Sequence, residues 1–210
     1  METYHIPTIF FTLFFVVDPI GLIPVFVTYL SGYEGRERTH VILKATTISI
    51  AVSLLFIIMG RYLLRFLGIS SGAFLVAGGI LLFLISMEML FGIPSRVKMR
   101  NVCGDEPEES GIDVSVFPLA IPMLCGPGNI AALLMFSHNA WGNPVKMGVL
   151  MALSTLVFLI AMMVMFFSSA IERLAGQTGI SIFQRLMGLI LSALSVQIIH
   201  NGLVSMGVLS

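Results

Sequence analysis

The stretch Val16-Val17-Asp18-Pro19-Ile20-Gly21-Leu22-Ile23-Pro24 interrupts an apolar run that extends from Ile6 to Leu30. Pro19 and Pro24 have no N–H to donate and clash with the preceding turn, and Gly21 frees the backbone between them. No regular helix passes through such a segment. Asp18 follows about 12 residues of apolar sequence, which at 1.5 Å per residue is roughly 18 Å of helix. If the run crosses a hydrocarbon layer of about 30 Å, the interruption falls near the midplane.

Composition says that lipid is the solvent. Of 210 residues, 57% are hydrophobic and 10% charged, and the mean hydropathy is +1.01. A soluble domain carries about a quarter charged residues, so this chain could not cover its surface against water. Apolar windows predict six spans, at Ile6–Leu30, Val41–Tyr62, Gly72–Gly92, Val114–Phe136, Val145–Ile171 and Ile182–Leu209. Spans of about 20 residues account for the length and leave no room for a soluble domain. Zero net charge argues against a nucleic-acid partner. The N-terminal Met1-Glu2-Thr3-Tyr4-His5 lacks the positive region of a cleaved signal, so the first run is expected to be retained.

The fourth span is interrupted as the first is, by Pro118, Pro122 and then Cys125-Gly126-Pro127-Gly128-Asn129. The stretch Phe74–Glu88 can be laid on Phe183–Gln197 with Gly79 on Gly188, Leu82 on Leu191, Ser86 on Ser195 and Glu88 on Gln197. A nearly equal offset lays Asp18-Pro19-Ile20-Gly21 on Gly126-Pro127-Gly128-Asn129. Three spans per half is an odd number, so the halves must lie in opposite orientation, the inverted repeat of many secondary transporters. The expected fold is therefore an all-α membrane protein of two inverted three-helix repeats. Its parts are residues 1–92, a cytoplasmic loop at 93–112 and residues 113–210. Lys and Arg place both termini outside: eight lie in the first, third and fifth connections and three in the second and fourth.

One proline only kinks a span. Two clusters in corresponding halves mark a binding site, because the backbone groups they release must be paired internally or line a wet cavity. The candidate site comprises Asp18, Pro19, Ile20, Gly21 and Leu22 with Gly126, Pro127, Gly128 and Asn129. Half-helix N-termini suit a carboxylate, and freed carbonyls suit an ammonium group or a cation. Asp18 is the one acid well inside a span and must be paired, hydrated or protonated there; it also suits the cap of the following half-helix. Glu88 and Gln197 are candidate supporting residues, though snorkelling or hydrogen bonding between helices explains them more simply. Ala45, Ser49 and Ser53 form a small-residue stripe read as helix packing. His5, His40, His138 and His200 are scattered, Cys103 and Cys125 make no metal signature, and no nucleophile–base set points to an enzyme.

The motif Val16–Phe26, together with Pro118-Leu-Ala-Ile-Pro122 and Gly126-Pro127-Gly128, resembles the MarC family of bacterial and archaeal membrane proteins. Ala77–Phe83 and Met187–Leu191 are similar to that family as well, so the resemblance covers essentially the whole chain. It implies a six-span inner-membrane protein, in which the Lys and Arg count would put both termini in the periplasm of a bacterium. It also implies a transporter or exporter of small solutes, with glycine and alanine as the substrate type described for archaeal relatives. The family commonly has Asn where this chain has Leu22, which bears on specificity; Asn129 is a candidate source of the missing amide. The expected partners are lipid and a small solute. No cofactor is expected, a proton or sodium ion is the candidate coupling ion, and the oligomeric state is open. A passive channel using the same breaks as a constriction is the alternative.

Overall fold

The computed structural model describes residues 6–92 and 113–209. The N-terminal pentapeptide and the expected loop at 93–112, with Cys103, lie outside them. The described residues form eight helices: α1 (Ile6–Val17), α2 (Ile23–Leu30), α3 (Gly35–Phe66), α4 (Ser71–Phe91), α5 (Ser115–Leu124) and α6 (Pro127–Ala140), then α7 (Pro144–Gly176) and α8 (Thr178–Ser205). No strand occurs among the described residues.

Helices α3, α4, α7 and α8 are each long and apolar enough to cross a membrane, and at most 39% of their apolar windows is buried inside the protein. The outward faces carry Leu55, Ile58, Leu84, Met163 and Leu189, side chains that require an apolar surrounding. The other two expected spans fold as pairs of shorter helices, α1–α2 and α5–α6, each divided where the prolines and glycines cluster. Helix α3 begins at Gly35, six residues before the expected boundary, because the polar turn Arg36–His40 continues the helix beyond its apolar part. The fifth connection, expected as a loop, is helical on both sides. Only Gly176, at φ +65°, breaks it, a conformation that glycine adopts without strain.

Local chemistry explains the ends. Asn143 caps α7 by accepting from the Val145 and Lys146 amides at 3.0 and 3.2 Å, with Pro144 at the first helical position. Ser70 caps α4 by accepting from Ala73 N at 3.1 Å. Helix α5 is π-helical. Pro118 cannot supply the N–H that Val114 O would receive in an α-helix, so Leu119 N donates instead at 3.3 Å. Cys125 N repeats the wider spacing on Ala120 O at 2.9 Å.

Helices α4 and α8 cross antiparallel and in close contact. A Cβ added at Gly79 would lie 3.1 Å from Ser195 O, and one at Gly188 would lie 2.9 Å from Ser86 O. The relation is reciprocal, because each glycine faces the partner helix at the residue aligned with its counterpart's contact. Further along, Gly72 meets Gly202 O at 2.7 Å by the same measure. Small residues let two backbones approach where lipid supplies no hydrophobic drive for association. The stripe Ala45, Ser49 and Ser53 is fully buried, with Ser53 against Cys125 at the end of α5. Arg38 ties the start of α3 to α7, donating to the Ser168 and Ser169 hydroxyls at 3.3 and 3.2 Å and to Met165 O at 3.4 Å. At the other end of α3, Arg61 lies 5.1 Å from the Trp141 ring, and Tyr62 meets that ring edge-on. Amphipathic aromatics and long cations of this kind settle at a membrane–water boundary.

Candidate functional site

The first break begins with Asp18. Its backbone turns left-handed, at φ +46°, a conformation that Asp tolerates because its short carboxyl bonds locally. Asp18 Oδ1 accepts from Gly21 N at 3.1 Å, Leu22 N donates to Asp18 O at 3.2 Å, and Ile23 N donates to Ile20 O at 3.1 Å. Asp18 therefore caps the turn that leads into α2. The amides of Gly21, Leu22 and Ile23 all find acceptors within the break. The other carboxyl oxygen, Oδ2, is buried and has no hydrogen-bond partner among the described residues, and Asp18 as a whole is 7% exposed. A buried oxygen with acceptor capacity and no donor is costly, so it marks a place for a ligand, a proton or water.

Two long helices close on this turn. From α8, Gln184 Nε2 donates to Gly21 O at 2.7 Å. From α4, the Met89 methyl would lie 2.6 Å from a Cβ on Gly21, and Asp18 Oδ2 would lie 2.0 Å from it. A side chain there would force the Met89 methyl and the Asp18 carboxyl to move. Gln184 escaped the sequence reading, although a signal existed: the repeat alignment sets this amide opposite Leu75, a polar residue where its twin is apolar.

The second break is chemically different. Gly126 is extended at ψ 168° and precedes α6, with Pro127 at the first helical position, and Ile130 N closes the first turn on Gly126 O at 3.0 Å. The Gly128 and Asn129 amides stand in that first turn, where a helix has no internal acceptor for them. Asn129 is buried, its amide 3.9 Å from Cys125 Sγ, and Ser53 Oγ meets the same sulfur at 3.5 Å. Gly78 of α4 lies against Ala131 and the Pro127 carbonyl, and Gly128 lies against Leu82. Helix α4 thus touches both breaks, at Leu82 and at Met89. Seven residues separate these contacts, about 10 Å along a helix, so the breaks meet α4 in staggered positions.

Of the other candidates, Pro19 is buried while Ile20 and Leu22 are half-buried. Glu88 is half-buried beside Met89. Gln197 is exposed and donates to Asn201 Oδ1 at 2.9 Å, and Asn201 approaches Met135 Sδ at 3.4 Å. Among the described residues, no three His, Cys, Asp or Glu side chains gather as a metal site would require.

The family model described as MarC family integral membrane protein matches residues 3–207. The chain belongs to the MarC family. It is similar to a UPF0056 membrane protein of Methanocaldococcus jannaschii, at 34% identity over 97% of this chain and 98% of the relative. A UPF0056 membrane protein of Pyrococcus abyssi is 35% identical over 91% of this chain and 90% of its own length. The UPF0056 inner membrane protein YhgN of Escherichia coli K12 is 32% identical over 91% and 92%. No solved structure matches the chain. Membership of the MarC family agrees with the resemblance carried by the Asp18–Pro24 and Gly126–Gly128 motifs, and it makes this chain an integral membrane protein in contact with lipid.

Proposed function

We propose that the protein is a secondary transporter or exporter of small neutral amino acids, glycine and alanine above all, working by alternating access rather than by chemistry on its substrate. The observation that carries this reading is the buried Asp18 Oδ2, unpartnered inside a broken helix pair that α4 and α8 both close upon. In this reading α1–α2 and α5–α6 complete six crossings, and the two halves are inverted repeats. The reciprocal Gly79–Ser195 and Gly188–Ser86 contacts support that symmetry. The zwitterion's ammonium meets the first break. The breaks meet α4 about 10 Å apart in this conformation, further than one amino acid separates its charges. The rocking of the halves must therefore bring the first-turn amides of α6 at Gly128 and Asn129, where the helix dipole favours an anion, to the zwitterion's carboxylate. A proton or sodium ion supplies the coupling, and rocking of the halves exposes the site to each side in turn. The reading places the protein in a bacterial inner membrane with both termini in the periplasm.

The test is uptake and counterflow of labelled alanine in proteoliposomes under proton and sodium gradients. A transporter gives saturable flux and exchange. Linear flux without accumulation points to a channel, and no flux of any neutral amino acid sinks the proposal.

A further inference from the structure

We infer that Gly21 O and Asp18 Oδ2 together form a binding site for a primary ammonium group, and that the side-chain amide of Gln184 occupies part of it in the conformation described here. As the receiving end for a zwitterion the inference rests on the function proposed above, but its geometry stands apart from the transport cycle.

Gly21 O already accepts one N–H, from Gln184 Nε2 at 2.7 Å. That donor is neutral, and it leaves Oδ2 without a partner. Oδ2 lies hard against the α-carbon of Gly21, since a Cβ there would come within 2.0 Å of it, so carbonyl and carboxyl oxygen belong to one small locus. An ammonium group has three donors and a full charge, and it can serve both oxygens where the amide serves one. Charge-assisted bonds are about twice as strong as neutral ones, so the cation displaces the amide. Met89 limits what the nitrogen can carry: its methyl group presses on Gly21 from α4, and Gly188 of α8 in turn backs Met89 Cβ at 3.2 Å by the same measure. The locus is closed to bulk on that side, and a quaternary nitrogen has no N–H to give.

Displacing Gln184 also unfastens α8 from the first break. Gln184 is thus a positioning residue. It holds the site closed in this conformation, and its release ties binding at the site to freedom of α8.

Binding of methylammonium, tetramethylammonium and alanine to purified protein in nanodiscs tests the site by calorimetry, with amide hydrogen exchange across residues 18–26 as a second readout. Wild type is expected to bind methylammonium and alanine but not tetramethylammonium. Gln184→Leu and Gln184→Met remove the competing donor and should bind both ligands roughly five-fold tighter, the worth of one neutral hydrogen bond. The same variants should exchange faster across the break without ligand, and Asp18→Asn should weaken both ligands by more than ten-fold. Methylammonium binding without alanine binding would leave the ammonium site standing and remove the amino-acid reading. Equal binding of tetramethylammonium, unchanged or weaker methylammonium affinity in both Gln184 variants, or no methylammonium binding at all would overturn the site.

Discussion

The two carboxyl oxygens of Asp18 stand in different surroundings. One carboxyl oxygen caps the turn by accepting from Gly21 N at 3.1 Å, and the other is left without a donor. Asn can reproduce the cap and tolerates the left-handed backbone at φ +46°. Asp18→Asn is therefore expected to keep its melting temperature within a few degrees while losing alanine uptake. If it unfolds instead, the second carboxyl oxygen has a structural role that an amide cannot fill, and the binding assignment loses its support. Gly21→Ala is the opposite case, since its methyl group would meet Asp18 Oδ2 at 2.0 Å and Met89 at 2.6 Å. Overpacking of this kind costs about 1–3 kcal/mol, read as a lowered thermal midpoint, and uptake should fall with it. At this scale the sequence was informative about Asp18 and Gly21, because an acid and a glycine between prolines stand out in an apolar run. It was nearly silent about Gln184. A single amide near a helix start has many uses, and its partner on Gly21 is distant in sequence.

Among the helices, the contact of α4 with α8 makes the sharpest prediction. The space beside Gly188 is bounded by the backbone atoms Leu90 N and Ser86 O, both 2.9 Å from an added Cβ. Beside Gly79 the nearest atom is Ile199 Cγ1 at 2.7 Å, and the backbone atoms Ser195 O and Ile199 N stand slightly further off, at 3.1 and 3.2 Å. A side chain can rotate away and a helix backbone cannot. Gly188→Ala should therefore destabilise the protein more than Gly79→Ala, and matched thermal melts in one detergent would show it; equal losses would mean that the helices separate freely. Lys44 of α3 forms an ion pair with Asp113, two residues before α5 begins. Lys44, aided by the Ser115 amide that donates to Asp113 Oδ1 at 2.9 Å, holds the Asp113 carboxyl at about 2, below its ordinary 3.8. A depressed carboxyl stabilises the fold above its unfolded value and loses that contribution as pH falls from 3.8 through 2. The tie should thus persist at pH 5 and weaken only in strong acid. In the Lys44→Met variant, carbon-detected NMR of Asp113 should show its titration moved back toward the ordinary value. Solvent screens this exposed pair, so little global stability rides on it. The elements themselves were largely legible in the sequence. What was not legible was the π-helical winding of α5 and the continuity of helix on both sides of Gly176, since both depend on where displaced backbone donors find acceptors.

For the molecule as a whole, the excess of Lys and Arg in the odd-numbered connections predicts that both ends of the chain face the periplasm. In a Cys103→Ser, Cys125→Ser background, Val208→Cys should react with an impermeant maleimide on intact spheroplasts and Arg36→Cys should not; the reverse pattern would invert the topology. Membrane residence, the two breaks and the pairing of Gly79 with Gly188 follow from the sequence alone. Each rests on composition, on missing N–H groups or on periodicity, and these are properties of covalent structure read along one dimension. Only the tertiary structure decided that α4 touches both breaks in staggered positions, and that Gln184 of α8 takes the Gly21 carbonyl. It also decided that one oxygen of Asp18 is left without a donor. Those facts depend on which helices share a face once packed. In a chain this apolar nearly every helix face could be buried or lipid-facing, and hydrophobicity alone does not choose between them. The choice is made by close backbone approach at glycine and by the few polar groups that must find partners away from water.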